Sequence, residues 1–513
     1  RAGGEACRET RHEAGRQAAR AGQRNPHGSP AKKKSTVSPP APSAARAEPG
    51  AGAAPEISAG IFRAYDIRGV VGKTLTAPIV ELIGRAIGSE AAARGQKKIA
   101  VGRDGRKSSP ELAAALIRGL AATGRDVIDV GLVPTPVLYF ATHHLGTNSG
   151  VMVTGSHNGP EYNGLKIVLG GDSLSEDALQ KLYQTARAGK FEAGSGEISS
   201  ADVVADYIRR VSEDIPVALG NAYRIVVDCG NGVAGAVAPQ LLRALGHDVL
   251  ELFCDVDGSF PNHHPDPSQP ENLEVLIGNV VETQSDLGFA FDGDGDRLGV
   301  VDGNGGILWP DRQLMLLASD VLSRNAGAPI IFDVKCSRHL QRIIEEKGGK
   351  PVMWRTGHSL IKSKMKAIEA PLAGEMSGHI FFKERWYGFD DALYTAARLI
   401  EVLMKTKQKP AEVFATLPQA VSTPELRVNL PEEQHGQFMD ALGHAMTFEG
   451  ASVVTIDGFR VEFPDGWGLI RPSNTSPVLV LRFEADNAEA LARIQQEFRS
   501  RLLSVSADLK LPF

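Results

Sequence analysis

The 513-residue chain has no apolar run approaching the 18 or more residues of a membrane-spanning helix, so no part of it reads as a bilayer-crossing segment. Cysteine is scarce. Cys7, Cys229, Cys254 and Cys336 are far apart in sequence and form no CxxC pair or zinc-type spacing. A disulfide framework and a thiolate metal centre are disfavoured, and four free thiols point to a reduced, cytoplasmic protein. Neither sign of charge dominates the whole, at a formal net charge of −5. The distribution is uneven, however: residues 1–55 carry ten Lys or Arg against four Glu, leaving 46 against 57 for the remainder. An acidic body argues against nucleic acid as its partner.

What is present is the composition of an ordinary globular protein, 42% apolar and 23% charged. Its length exceeds a single hydrophobic core and calls for several domains. Residues 1–55 are rich in Ala, Gly, Pro, Ser and Arg, lack apolar periodicity and include the basic run Lys32 to Lys34, so a disordered tail is expected. They also lack the apolar centre of a signal peptide and begin with Arg, as a fragment or processed form would.

Beyond the tail, β-rich apolar runs alternate with segments of helical period, the pattern of α/β domains with mixed or parallel sheets. Three runs are alike: IAVGRDGR at 99–106, IVVDCGNG at 225–232 and IFDVKCSR at 331–338. Each reads as a strand ending in a polar or Gly-containing turn, followed by a helix over 110–123, 233–245 or 338–347. A threefold repeated α/β unit is the expectation. From about residue 420, strands at 451–456, 459–463, 468–471 and 478–484 and a helix from Asn487 make a smaller α+β unit. The expected division is 56–204, 205–306, 307–418 and 419–513.

Four loops carry candidate chemistry. In VMVTGSHNGPEYNGLKI, residues 151–167, a buried-type strand opens into a Gly/Asn-rich loop that is expected to expose Ser156 at its tip, beside His157 and Lys166. A bare serine is a poor nucleophile, but as a phosphate carrier it would add roughly 1.5 to 2 negative charges and three acceptor oxygens. A surface serine on a tight turn is the plainer alternative.

In LGFAFDGDGDRLGVVDGNG, residues 287–305, an apolar strand delivers Asp292, Asp294 and Asp296 at i, i+2 and i+4, with Gly293 and Gly295 between them. Three hard oxygen ligands on a flexible loop suit Mg²⁺. An EF-hand fails, since Arg297 stands where it needs Gly and Gly303 where it needs Glu. An aspartyl nucleophile remains a second reading.

LAGEMSGHIFF, residues 372–382, alternates Glu375, Ser377 and His379, which an extended backbone would place on one face. A carboxylate and a hydroxyl suit sugar hydroxyls, and the imidazole suits proton transfer. GLIRPSNTSP, residues 468–477, follows Arg471 with Ser473, Asn474, Thr475 and Ser476, the makings of an anion cradle.

Taken together and in this order, these loops resemble the α-D-phosphohexomutase superfamily, and within it the bacterial phosphomannomutase/phosphoglucomutase branch. The resemblance runs from about Ile61 to the C-terminus and includes FRAYDIRG at 62–69, TGSHN, DGDGDR, VKCSR at 334–338, TGHS at 356–359, GEMSGH and RPSNTSP. It implies four domains around a central cleft, the first three of shared topology. By resemblance, Ser156 carries the phosphoryl group and, with the three aspartates, coordinates one Mg²⁺. Arg297 follows the metal loop, Tyr65, Arg68, Lys166, Lys335 and His358 would line the cleft, and His379 is a candidate acid/base. Glu375 and Ser377 would bind the sugar 3- and 4-hydroxyls, and Arg471, Ser473, Asn474 and Thr475 the phosphate that does not react. One departure is Gly159, where relatives usually have Pro.

The implied reaction moves a phosphoryl group between the 1- and 6-hydroxyls of mannose or glucose, through a hexose 1,6-bisphosphate that also serves as primer. A phosphoglucosamine mutase, which tends to have Gln in place of Met376, and a catalytically silent sugar-phosphate binder are the alternatives. A monomer or weak oligomer is expected.

Overall fold

A computed structural model of the chain describes residues 55–215, 222–473 and 476–513. The expected disordered tail lies, Pro55 apart, outside them. The three similar runs occupy one and the same place in three sheets. Lys98–Arg103 pairs in parallel with Asp126–Leu132 and Gly150–Val153. Arg224–Asp228 pairs likewise with Asp248–Leu252 and Leu287–Phe291, and Pro329–Asp333 with Lys350–Trp354 and Leu372–Gly374. In every case the chain then reverses into an antiparallel fourth strand, Tyr162–Leu169, Leu298–Asp302 or Ile380–Phe382. Helices make the two crossovers, such as Ser109–Ala121 and Thr135–His144 in the first sheet. The expected repeat is therefore present, strand for strand.

The central strands read as unbroken apolar runs because helices pack on both faces of these sheets, and Gly150–Val153 and Leu287–Phe291 are buried along their whole length. The helix expected over 233–245 is divided. A 3₁₀ turn, Val233–Ala236, precedes an α-helix that starts at Ala238. Pro239 lacks the N–H that would bond back to Gly235, so a continuous helix cannot cross this point.

The last section is an antiparallel sheet in which Ser452–Val454, Phe459–Phe463, Gly466–Pro472 and Val478–Ala485 pair in succession. Helix Ala488–Val505 packs on it through Ile494, Phe498 and Leu502, as its apolar spacing dictates. Strand Leu426–Asn429 and helix Glu432–Ala445 complete the unit and were not evident from the sequence. No described helix is long and apolar enough to cross a membrane.

Candidate active site

The three reversals between third and fourth strands carry the three chemical loops. Ser156 follows Gly150–Val153, the acidic triplet follows Leu287–Phe291, and Glu375 follows Leu372–Gly374. Equivalent positions in three repeats thus meet at one place.

Ser156 departs from expectation in being buried, at 2% exposure, rather than presented to solvent. The cause is Arg106, itself 1% exposed. Its Nη2 donates to the carbonyls of Ser156 (2.8 Å) and Asn158 (2.6 Å), and its Nη1 to those of Gly159 (2.6 Å) and Tyr162 (3.1 Å). Asp104 balances the charge, accepting from Nε at 3.1 Å. The guanidinium pulls the loop down over itself, and Gly155 permits this because a Cβ there would lie 2.5 Å from Arg106 Cζ. Ser156 is held at φ 49°, left-handed backbone that costs a non-glycine residue roughly 1–3 kcal/mol. Its hydroxyl donates to Asp292 Oδ2 at 3.2 Å and lies 3.2 Å from His157 Nδ1. Burial, then the nearby Arg297 and Arg68, hold His157 well below the usual histidine range and hence neutral.

The acidic loop reaches Ser156 because residue 293 is glycine: a Cβ would come within 2.3 Å of the Ser156 carbonyl oxygen. Asp292, Asp294 and Asp296 are fully buried and present oxygens within 4.8 Å of one another. Burial and mutual repulsion push Asp292 well above the ordinary carboxylate range. Burial opposes charge on Asp294 too, but Lys166 outweighs it and lowers that group. Lys166 Nζ donates to Asp294 at 2.7 Å and also to Asp296, and Thr135 donates to Asp294 at 2.6 Å. Asp294 Oδ1 and Asp296 Oδ1 are nonetheless buried without a hydrogen-bond partner among the described residues. A hard oxygen set with orphaned lone pairs and a carboxylate forced toward neutrality fits a divalent cation such as Mg²⁺.

The 375–379 segment is not extended, so the single face that an extended backbone would give does not form. The backbone turns back on itself, with Glu375 N donating to the His379 carbonyl at 2.8 Å and Gly378 at φ 102°. A hairpin between two short strands has no room for an extended stretch, so the three side chains gather around a turn instead of along one face. Glu375 accepts from Gly357 N at 2.6 Å, and burial pushes its carboxyl up to about 6. His379 Nε2 accepts from Arg297 Nε at 3.0 Å.

A cleft of about 400 Å³ brings together Tyr65, Arg68, Ser156, His157, Lys166, Arg297, Lys335, His358, Glu375, Ser377, His379, Arg471 and Ser473. The aspartates lie beneath its floor, and Asn474 and Thr475 fall outside the described residues. Arg68 donates to the Gly155 carbonyl at 2.8 Å and to Asn158 and Asp66. Arg471 Nε donates to Asp457, which also accepts from Thr356 N, tying the last sheet to the third. Lys335 donates to Glu425 at 2.7 Å across the same seam.

Sequence reasoning missed Arg106, Asp457, Glu425 and Arg427, of which the last two line the cleft. Only Arg106 carried a signal, lying within one of the repeated runs, where it read as a turn residue.

Four family descriptions match in order: phosphoglucomutase/phosphomannomutase α/β/α domain I over residues 59–193, domain II over 205–305, domain III over 309–421 and the C-terminal domain over 425–501. A phosphomannomutase/phosphoglucomutase of Pseudomonas aeruginosa is 55% identical over 460 residues, covering 90% of this chain and 99% of that one. A phosphoglucomutase of Neisseria meningitidis is 54% identical over 448 residues, covering 86% and 97%. Among solved structures, a phosphoglucomutase/phosphomannomutase family protein from Burkholderia thailandensis superposes with a TM-score of 0.85 at 54% identity, covering 89% of this chain and all of that one. On this architecture, this site and these matches, the chain belongs to the phosphoglucomutase/phosphomannomutase family of α-D-phosphohexomutases.

Proposed function

We infer that the chain is an isomerase that moves a phosphoryl group between the 1- and 6-hydroxyls of mannose and glucose. The observation that carries this reading is the Ser156 hydroxyl, 3.2 Å from an oxygen of a buried three-carboxylate cluster. Ser156 is the phosphoryl carrier. Mg²⁺, held by Asp292, Asp294, Asp296 and the Ser156 oxygen, would supply charge neutralisation at the transferring group.

The first transfer breaks the Ser156 Oγ–P bond as a P–O bond forms to the free sugar hydroxyl, whose proton goes to His379 Nε2 once the Arg297 N–H now bonded there has turned to the phosphoryl group. The product is a hexose 1,6-bisphosphate. It turns end for end, and in the second transfer its other sugar O–P bond breaks as the Ser156 Oγ–P bond re-forms, the leaving sugar oxygen taking the proton back from His379. Arg68, Lys166 and Arg297 offset the charge of the phosphoryl group in flight, which is the main demand of this chemistry. Arg471 and Ser473, with Asn474 and Thr475, hold the other phosphate, and Tyr65, Lys335 and His358 wall the sugar. Glu375 and Ser377 read the 3- and 4-hydroxyls, which exchange near-equivalent places on turning. Position 2 is read weakly, so both sugars are accepted. Met376, where phosphoglucosamine mutases tend to have Gln, favours the neutral hexoses over the amino sugar.

We further propose the domain limits 56–204, 205–306, 307–418 and 419–513, a monomeric or weakly associated chain, and a cytoplasmic setting in which Cys229, Cys254 and Cys336 remain thiols, as they are here. The test is conversion of mannose 1-phosphate, glucose 1-phosphate and glucosamine 1-phosphate with Mg²⁺ and a bisphosphate primer, alongside Ser156→Ala. Turnover of the first two, with loss of phosphoenzyme in the variant, is expected. No turnover of any would overturn the reading, and a preference for the third would replace it.

A further inference from the structure

Behind the cleft wall lies a carboxylate that none of the motifs above includes. His358 and His379 both face the cleft, with ring centroids 5.6 Å apart. Asp390, fully buried, lies behind them: its Oδ2 is 3.1 Å from His379 Nδ1 and 3.8 Å from His358 Nδ1. Its other oxygen, Oδ1, accepts from Lys362 Nζ at 2.8 Å. Lys362 stands one helical turn after His358 on helix His358–Ile368 and approaches from the opposite side, along a second cavity of about 290 Å³. There its ammonium lies 4.4 Å from the centroid of the Tyr139 ring and 3.3 Å from the Tyr139 hydroxyl.

The tautomer of His379 follows from its two neighbours. Nε2 accepts from Arg297, so in the neutral ring the proton is on Nδ1. Nδ1 faces Asp390 Oδ2 at 3.1 Å and Asp296 Oδ1 at 3.5 Å, and all three atoms are buried with no hydrogen-bond partner among the described residues. The pairs lie off the line of a hydrogen bond, but a proton on Nδ1 sits between the two carboxylate oxygens and is stabilised by both charges. Asp296 belongs to the acidic triplet that would hold the metal, which leaves Asp390 as the partner free to serve His379 alone.

We propose that Asp390 is the positioning residue for His379, favouring the Nδ1–H tautomer that keeps Nε2 an acceptor on the cleft side, where the Arg297 N–H now stands in the place a sugar hydroxyl would take. Lys362 fixes Asp390 in turn by occupying its other oxygen. The same three atoms lie within 4.8 Å of one another, as a second cation site would require. Lys362 on Asp390, Lys166 on Asp296 and Arg297 on His379 already ring that point with positive charge, however, which repels a further ion and favours a proton.

The inference rests on the phosphoryl-transfer reading above and is tested with Asp390→Asn. Lys362 needs an acceptor, so the amide oxygen turns to it and the NH₂ faces His379 Nδ1, donor against donor. The ring then faces donors on both sides, the amide at Nδ1 and Arg297 at Nε2, so the Nδ1–H tautomer loses its preference and the Nε2–H form, which cannot accept at Nε2, gains population. The expected result is a kcat lower by roughly 100-fold, by analogy with other groups that orient a catalytic or ligating histidine, and a KM for glucose 1-phosphate within about threefold of wild type. Long-range ¹H–¹⁵N NMR of histidine-labelled protein should show Nδ1–H in the wild type and a clearly raised share of Nε2–H in the variant. A purely structural Asp390 would lower the thermal midpoint without moving the tautomer. Lys362→Met provides a second variant, expected to shift kcat and tautomer population in the same direction by less.

An unchanged tautomer and kcat in Asp390→Asn would overturn the proposal. So would two Mn²⁺ bound per wild-type chain with one lost in the variant. If the wild type turned over no hexose phosphate, the functional reading would fall while the tautomer measurement still decided this one.

Discussion

Replacing Arg106 with Met keeps the aliphatic length and removes every donor. Four loop carbonyls, of residues 156, 158, 159 and 162, then lose their partner, and Asp104 is left without its counter-charge in a buried site. Each charge-assisted bond is worth about 1.5–3 kcal/mol in isolation, but the loop relaxes and water enters, so the four do not add. Breaking a buried ion pair costs roughly 3–5 kcal/mol, and that is the expected loss. For a domain of this size it corresponds to about 10 °C in thermal midpoint. Ser156 would leave its φ of 49°, and an ångström of misplacement is worth on the order of 10² in rate. Thermal unfolding, kcat on glucose 1-phosphate and phosphate stoichiometry at Ser156 measure the three effects. Arg106→Lys, which keeps the charge but not the fork, should fall between. A variant Arg106→Met within about threefold of wild-type kcat and within ~1 kcal/mol in stability would refute the claim that this guanidinium builds the Ser156 loop.

Three further outcomes are expected. Asp294→Asn should weaken Mn²⁺ binding, read by calorimetry, and lower kcat by on the order of 10²-fold, because the carboxylate that Lys166 and Thr135 keep ionised is lost; undiminished binding would count against the metal assignment. The Glu375 carboxyl, raised to about 6 by burial, is ionised above that pH and protonated below it, so its acceptor strength for sugar hydroxyls fades as pH falls through about 6. KM should rise from pH 7 to pH 5 and Glu375→Gln should flatten that limb, whereas a KM flat in the wild type would remove the argument. Gly293→Ala brings a methyl within 2.3 Å of the Ser156 carbonyl and should drive the two loops apart, lowering kcat at least about tenfold at saturating Mg²⁺; wild-type rates would mean the loops need not touch.

The parts of the site that were legible in the sequence are those whose chemistry is local. Asp292, Asp294 and Asp296 announce themselves by two-residue spacing with glycine between, and Ser156 by the loop that follows an apolar strand. The repeat was legible because buried parallel strands need continuous apolar runs whatever loops they carry. Burial of Ser156 was not, because it depends on Arg106, fifty positions away in sequence. Asp390 and Asp457 were hidden for the same reason, their partners lying on other strands and helices. Glu375, Ser377 and His379 meet at one cleft, but around a turn and not along a strand face, since alternation cannot distinguish a strand from a tight hairpin of equal length.

Ser156, the acidic triplet and Glu375 each occupy the return bend of a different copy of one strand order. Length changes in the crossover helices of any copy are therefore absorbed at the periphery, whereas inserting a single residue into any one of these three bends would throw one reactant out of alignment with the other two. Tolerance to insertion should thus follow the same pattern three times along the chain, with the intolerant stretches at 154–161, 292–297 and 375–379.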